Sequence, residues 1–233
     1  TGADEEVGGA TGAKFLAETV GIQPEFLIVL DGQKPEHISL GAKGVWFTEI
    51  TFTSLLHKGG HGSRPVDYSA NRLARNLLNG LDTFYPWEEL TDSPKGTTVN
   101  DGVWKGGTVI NKIAEQATLE LDIRVAREED RQLAKKHMYE TAKQIVLDPL
   151  HKIYGKELPV TVISGIQEKE GKEVYEVGIV DKETAKGYTV VSVMTTAEVP
   201  VYTIDRTNKK IIRCYEIVEE VTGKSPKIND KDT

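Results

Sequence analysis

Hydrophobic and polar positions follow two different periods along the middle of the chain. Residues 44–56 partly alternate between apolar and polar side chains, which predicts a half-buried strand. Leu73, Leu77 and Leu81 instead recur at helical spacing, which predicts an amphipathic helix. The elements predicted in this way are, in order, a strand at 44–56, a helix at 69–84, two strands within 102–125, a helix at 128–148 and a strand at 158–164. This βαββαβ order predicts a ferredoxin-like unit, a single antiparallel sheet with two helices on one face.

The two ends of the chain have a different pattern. A short helix is predicted before Gly21, and the apolar run 26–30 predicts a strand buried on both faces, as in α/β sheets. A helix that ends at Gly223 is predicted near the other end. We therefore expect an α/β domain in two pieces, 1–43 and 200–233, with the ferredoxin-like domain inserted between them over 44–199. The inserted domain includes an extra hairpin at 172–195.

Composition excludes several classes of partner. The 233 residues carry 29 basic and 36 acidic side chains, a net charge of −7, and the basic residues are scattered. This argues against nucleic acid or a membrane surface as the main partner. The single cysteine, Cys214, cannot form an internal disulfide, and the sequence contains no signal-peptide pattern and no apolar run long enough to span a bilayer. We expect a cytoplasmic protein.

Carboxylates stand at two positions where α/β proteins bind ligands. Glu5 and Glu6 precede a Gly-Gly pair and a predicted helix, and Asp31 directly follows the predicted strand 26–30. Ligands of open α/β sheets bind at the carboxyl ends of strands. The structural alternatives are an acidic helix start that favours the helix dipole, and an aspartate that forms a turn before glycine.

The inserted domain carries three further candidate residues. His61 lies in the glycine-rich stretch GGHGS and could equally be a surface histidine in a turn. His57 lies four residues earlier, but the intervening glycines would break a helix, so we interpret it as structural. Asn111 lies in GGTVINKI, and Arg124 ends LDIR, where an ion pair with a neighbouring carboxylate on its own strand is the alternative.

Five motifs in this order resemble those of the di-zinc aminoacylase/carboxypeptidase superfamily: DEEVGG, VLD, GGHGS, GGTVINKI and LDIR. That superfamily includes acetylornithine deacetylase, succinyl-diaminopimelate desuccinylase, aminoacylase and glutamate carboxypeptidases. The resemblance is strong from Asp4 to Arg124 and weak over about 165–200. It implies an α/β catalytic domain with an inserted ferredoxin-like lid that also serves dimerisation.

The resemblance assigns roles to the three carboxylates. Glu5 matches the general base that takes a proton from a metal-held water, Glu6 matches a ligand of one zinc, and Asp31 matches a ligand of the other. Two zinc ions per active site are implied, with cobalt or manganese as alternatives. Divalent cations would offset the repulsion between Glu5 and Glu6 and lower the pKa of the bound water.

The resemblance also assigns roles to the candidates of the inserted domain. His61 matches a lid histidine that stabilises the tetrahedral oxyanion, in dimeric members from the partner subunit. Asn111 and Arg124 match residues that bind the carboxylate or the backbone of the substrate. A planar guanidinium suits a carboxylate because it can donate two parallel hydrogen bonds.

The superfamily uses three more metal ligands than this sequence offers. A His-x-Asp strand end, a bridging aspartate and a late histidine are absent. Glu6 and Asp31 alone are too few for a two-metal site. We therefore expect the chain to be the interior of such an enzyme, without both ends of its catalytic domain.

These patterns predict hydrolysis of an amide bond in an N-acyl amino acid or small peptide by a zinc-activated water, in the complete protein. A homodimer through the inserted domain is expected. The alternative is a non-catalytic module for oligomerisation or ligand binding. The hairpin 172–195 could extend the dimer contact or shape specificity, and the acyl group or peptide is left open.

Overall fold

The computed structural model describes residues 12–23, 37–55, 60–63, 68–82 and 96–229. The chain divides into two compact units. The central unit comprises 45–198, and the outer unit comprises 1–44 and 199–233. The identity of the outer unit as a catalytic domain stays a prediction.

Helices and strands are mixed along the described chain in a sheet-rich fold, so the prediction of a mixed fold is confirmed. The elements are, in order, α1 (Ala13–Glu18), β1 (His37–Ser39), β2 (Gly41–Ala42), β3 (Gly44–Thr53), α2 (Ala70–Asp82), β4 (Thr98–Gly106), β5 (Gln116–Val125), α3 (Glu128–Tyr154), β6 (Val160–Lys169), β7 (Lys172–Asp181), β8 (Gly187–Val199), β9 (Tyr202–Thr203), α4 (Lys209–Thr222) and β10 (Lys227–Asn229). None of the described helices is long and apolar enough to cross a membrane.

The central unit is built on a six-stranded sheet in the order β4-β5-β3-β8-β7-β6. Two hydrogen bonds join β8 to β3 and to the residues just after it: the Trp46 indole donates to the Thr195 hydroxyl at 3.0 Å, and the Tyr188 hydroxyl donates to the Leu55 carbonyl. The start of β3 therefore lies beside the end of β8, and the end of β3 lies beside the start of β8. The two strands run antiparallel. Burial, together with the nearby Tyr154, raises the pKa of Tyr188 to about 12, so its hydroxyl stays a donor at neutral pH.

The two faces of this sheet differ. Leu119, Leu121 and Ile123 of β5 are almost completely buried, whereas Asp122 and Arg124 point to the other face and are more exposed. Helices α2 and α3 contact β5 and each other, so they cover the buried face. Each large apolar side chain that is buried there contributes about 1.5–3 kcal/mol.

The prediction for the last strand of the ferredoxin-like unit was wrong about its place in the sheet. The strand predicted at 158–164 forms as β6, but β6 is an edge strand, and the strand beside β3 is β8. The hairpin predicted at 172–195 forms from β7 and β8 and therefore belongs to the main sheet. Apolar burial gives the physical reason, because Val191 and Val193 of β8 are buried, whereas Ile163 of β6 is 53% exposed.

Helix α3 is longer than the sequence pattern predicted. It continues past residue 148 through Pro149 and Leu150, both of which are buried, and ends at Gly155 with a φ of 68°. Its Tyr139 stacks on Tyr175 of β7, with ring centroids 4.3 Å apart, and donates to Glu173 at 2.7 Å. These contacts hold α3 against β7.

The described part of the outer unit contains two short strand pairs and two helices, α1 and α4. Strands β1 and β10 are parallel, and β2 and β9 are antiparallel. Helix α4 begins after Asn208, whose side chain accepts from the Lys210 amide, and ends at Gly223 in the left-handed conformation. The strand predicted at 26–30 lies outside the described residues.

Candidate functional site

The predicted site residues fall into two groups. Glu5, Glu6 and Asp31, the predicted base and metal ligands, lie outside the described residues, as does His57. His61, Asn111 and Arg124 lie in the central unit. Across the described ranges, no group of three or more histidine, cysteine, aspartate or glutamate side chains could hold a metal. The zinc prediction therefore rests on the resemblance alone.

The structure brings the His61 turn against the loop that joins β4 to β5. The Gly62 amide donates to the Asn111 carbonyl at 2.8 Å, and the Ile113 amide donates to the Gly60 carbonyl at 2.8 Å. His61 and Lys112 therefore face each other as an antiparallel bridge between these two hydrogen bonds. His61 and Asn111, predicted separately, lie on adjacent backbone segments.

The His61 imidazole is exposed and held by its own turn. The Ser63 amide donates to Nδ1 at 3.3 Å, and the Ser63 hydroxyl lies 2.9 Å from the same atom. A neutral imidazole that accepts at Nδ1 carries its proton on Nε2. The Nε2–H group has no partner among the described residues, so it is available to donate to a ligand.

Two glycines shape the loop that carries Asn111. Gly107 has a φ of +74°, a conformation that side chains rarely adopt. A Cβ atom at Gly106 would lie 2.0 Å from the Asn71 amide oxygen, which is buried on α2. A side chain at residue 106 would displace Asn71, and one at residue 107 would strain the backbone, so both positions favour glycine.

Arg124 forms an ion pair with Asp122 on its own strand, which was the predicted alternative to substrate binding. Its Nε lies 2.7 Å from Asp122 Oδ1, its Nη2 lies 3.0 Å from Asp122 Oδ2, and its guanidinium lies 5.3 Å from the centre of the Phe47 ring. Both partners are partly exposed, so the pair contributes little to stability. Because a guanidinium has five N–H donors, it retains donors for a second carboxylate.

Arg124 is far from His61 and Asn111 within one chain. Asn111 belongs to the loop before β5, whose first residue is Gln116, and Arg124 is eight residues further along the strand. At about 3.3 Å per residue, Gln116 and Arg124 are about 26 Å apart along β5. The structure thus brings two of the three candidates together and places the third at the opposite end of the sheet.

Sequence reasoning missed the contributions of Ser63 and Lys112. Ser63 is inside the GGHGS motif, but its two contacts with Nδ1 depend on how the turn is folded. Lys112 follows Asn111 directly, and its position opposite His61 depends on the register between two loops. The tight GGHGS turn was the only signal that could have indicated either role.

Comparison with known proteins identifies the family. Residues 40–148 match the peptidase dimerisation domain of the M20 family. The matched segment therefore belongs to the M20 dimerisation-domain family, and the comparisons support the M20 peptidase superfamily for the chain. The superfamily resemblance drawn from the five motifs is therefore confirmed, and the match extends from just before β2 to residue 148, in the last third of α3.

Individual M20 relatives are similar over part of their length. Carboxypeptidase G2 from Pseudomonas sp. (strain RS-16) is 30% identical over 109 residues, which are 47% of this chain and 25% of that protein. A tripeptidase from Staphylococcus aureus subsp. aureus mu50 superposes with a TM-score of 0.61, and aminopeptidase PepT from Bacillus cereus ATCC 10987 with 0.62. Both are 17% identical, cover 98% and 99% of this chain, and are themselves covered over 48%, so they establish the fold alone.

Proposed function

We propose that the protein hydrolyses an amide bond in an N-acyl amino acid or small peptide in a metal-dependent reaction. Two zinc ions per active site are part of the proposal, with cobalt or manganese as alternatives. The observation that carries it is the pairing of the His61 turn with the Asn111 loop in an M20 dimerisation domain, with the His61 Nε2–H group free to donate. The names of the relatives, two peptidases and a carboxypeptidase, support amide hydrolysis.

The proposed role of His61 is to stabilise charge that develops on the substrate. When water attacks the amide carbon, the carbonyl oxygen becomes an oxyanion. A preorganised N–H donor is worth more toward that oxyanion than toward the neutral carbonyl, which is how such groups lower the barrier. The two Ser63 contacts hold the imidazole for this donation without occupying Nε2.

The metal-binding half of the site remains a proposal from the resemblance. Bound zinc would supply an activated water. Glu6 and Asp31 would be ligands, and Glu5 would accept the proton of the water and pass it to the leaving amine. Carboxylates suit zinc, but two of them do not complete its coordination, so the site needs further ligands.

A homodimer resolves the separation between Arg124 and His61. A dipeptide is about 7 Å long, whereas the two ends of the sheet are about 26 Å apart, so one protomer cannot present Arg124, Asn111 and His61 to the same substrate. We place Arg124 of one protomer and the His61–Asn111 pair of its partner in the same active site. Asn111 and Arg124 would then bind the carboxylate or backbone of the substrate from opposite sides.

The lid assignment of the central unit belongs to the same proposal. Four adjacent strands, β4-β5-β3-β8, have the strand order of a ferredoxin-like sheet if β8 takes the place of the closing strand. Strands β7 and β6 would then be an extension beyond it. Only the fold of the relatives supports this interpretation.

Metal-dependent release of amine tests the proposed function. The complete protein, treated with a chelator and reloaded with zinc, is assayed on N-acetyl, N-succinyl and dipeptide substrates. We expect at least one substrate to be hydrolysed, with activity lost after chelation and restored by zinc, cobalt or manganese. If no substrate is cleaved with any of these metals, the non-catalytic binding module becomes the better function.

A further inference from the structure

Lys112 lies directly opposite His61. The hydrogen bonds from Gly62 to Asn111 and from Ile113 to Gly60 lie on either side of this pair and do not join its two members. His61 and Lys112 therefore form a non-hydrogen-bonded antiparallel pair. In such a pair the Cα atoms are about 4.5 Å apart and the side chains project to the same side. The ammonium group of Lys112 is therefore close to whatever the His61 imidazole contacts.

The Lys112 charge is not neutralised by a neighbouring carboxylate. Its side chain is exposed and makes no ion pair with any residue in the described part of the chain. A lysine whose charge has no partner and which stands beside a proposed substrate-binding group is able to bind an anion. This distinguishes Lys112 from Lys135, whose ammonium lies 2.8 Å from Glu198 and 3.1 Å from Glu173.

A groove of about 570 Å³ is lined in part by Lys112. Its lining includes Lys105, Thr108, Lys112 and Glu115, which leaves an excess of one positive charge. Lys105 also lies 3.8 Å from Glu120, but both side chains are largely exposed, so this contact is weak. The volume is within the range of small-molecule sites, so the groove has room for the side chain of a substrate.

We propose that Lys112 binds a second carboxylate of the substrate and thereby makes the site selective for acidic substrates. These substrates carry one carboxylate for Arg124 and another on the acyl group or amino-acid side chain, next to the carbonyl that His61 contacts. The inference rests on the proposed hydrolytic function and names its substrate class. Lys112 acts on specificity, because its charge is not needed for attack on the amide.

Matched substrates that differ by one charge test this inference. N-acetyl-L-glutamate is compared with N-acetyl-L-glutamine, and N-succinyl-glycine with its neutral amide. The wild type, Lys112→Met and Lys112→Arg are measured with Lys143→Met as control, because Lys143 is an exposed lysine on α3 with no ion pair among the described residues. Methionine keeps the length of the side chain and removes its charge.

We expect the wild type to prefer the charged member of one pair, and Lys112→Met to reduce that preference about tenfold or more, mainly through KM. Lys112→Arg should retain most of the preference, and Lys143→Met should not change it. Hydrolysis with the same preference in wild type and Lys112→Met would overturn the role of Lys112 and leave the hydrolytic function intact. No hydrolysis of any substrate would overturn the proposed function and this inference with it.

Discussion

His61→Ala is expected to reduce kcat about 100- to 1,000-fold with a small change in KM. The substitution removes a donor that interacts with the oxyanion of the transition state and only weakly with the carbonyl of the bound substrate. Steady-state kinetics on the best substrate of the wild type measures both parameters. The fold should be unaffected because the imidazole is exposed and its two contacts are confined to Ser63.

The matched control for this prediction is His151→Ala. His151 is an exposed residue in the last turns of α3, so its replacement should leave kcat within about twofold of the wild type. Circular dichroism and thermal unfolding should be the same for both variants. A His61→Ala enzyme with nearly full kcat would refute the role of His61 in stabilising the oxyanion.

Arg131→Ala is expected to destabilise the central unit by about 1–3 kcal/mol. The Arg131 side chain is completely buried, and its Nη1 donates to the Val45 carbonyl at 2.6 Å, while its Nε lies 2.5 Å from Glu128 and 3.6 Å from Glu198. Alanine would leave the carbonyl without this donor and would open a cavity beneath α3. Urea unfolding followed by tryptophan fluorescence measures the loss.

Lys136→Ala on the same helix serves as the control. Lys136 lies 4.0 Å from Glu140 one turn away, and both side chains are mostly exposed. Such a pair contributes about 0.3–0.5 kcal/mol. If the two variants had similar unfolding free energies, the buried guanidinium would not be the anchor between α3 and the start of β3.

Local elements could be predicted from the sequence, but the strand order could not. The helical spacing of Leu73, Leu77 and Leu81 predicted α2 to within two residues, because an amphipathic helix is encoded within its own segment. The neighbour of β3 depends on contacts between residues far apart in the sequence, such as Trp46 and Thr195, which are 149 positions apart. Both 158–164 and 187–199 have strand character, so the pattern could not distinguish between them.

The same distinction applies to the candidate site. His61, Asn111 and Arg124 were found from motifs, and the Arg124 ion pair with Asp122 was anticipated because residues i and i+2 of a strand share a face. The pairing of Lys112 with His61 could not be found, since it depends on how two glycine-rich loops meet. The predicted metal ligands Glu6 and Asp31 stay predictions.

Activity of mixed dimers tests the central claim most directly, namely that each active site combines Arg124 of one protomer with His61 of its partner. His61→Ala and Arg124→Ala proteins are each expected to be nearly inactive. After unfolding and refolding together in equal amounts, half of the dimers should be mixed, and one of the two sites in each mixed dimer should be intact. We therefore expect about a quarter of the wild-type activity to return. No recovery from a mixture shown to contain mixed dimers would contradict the claim.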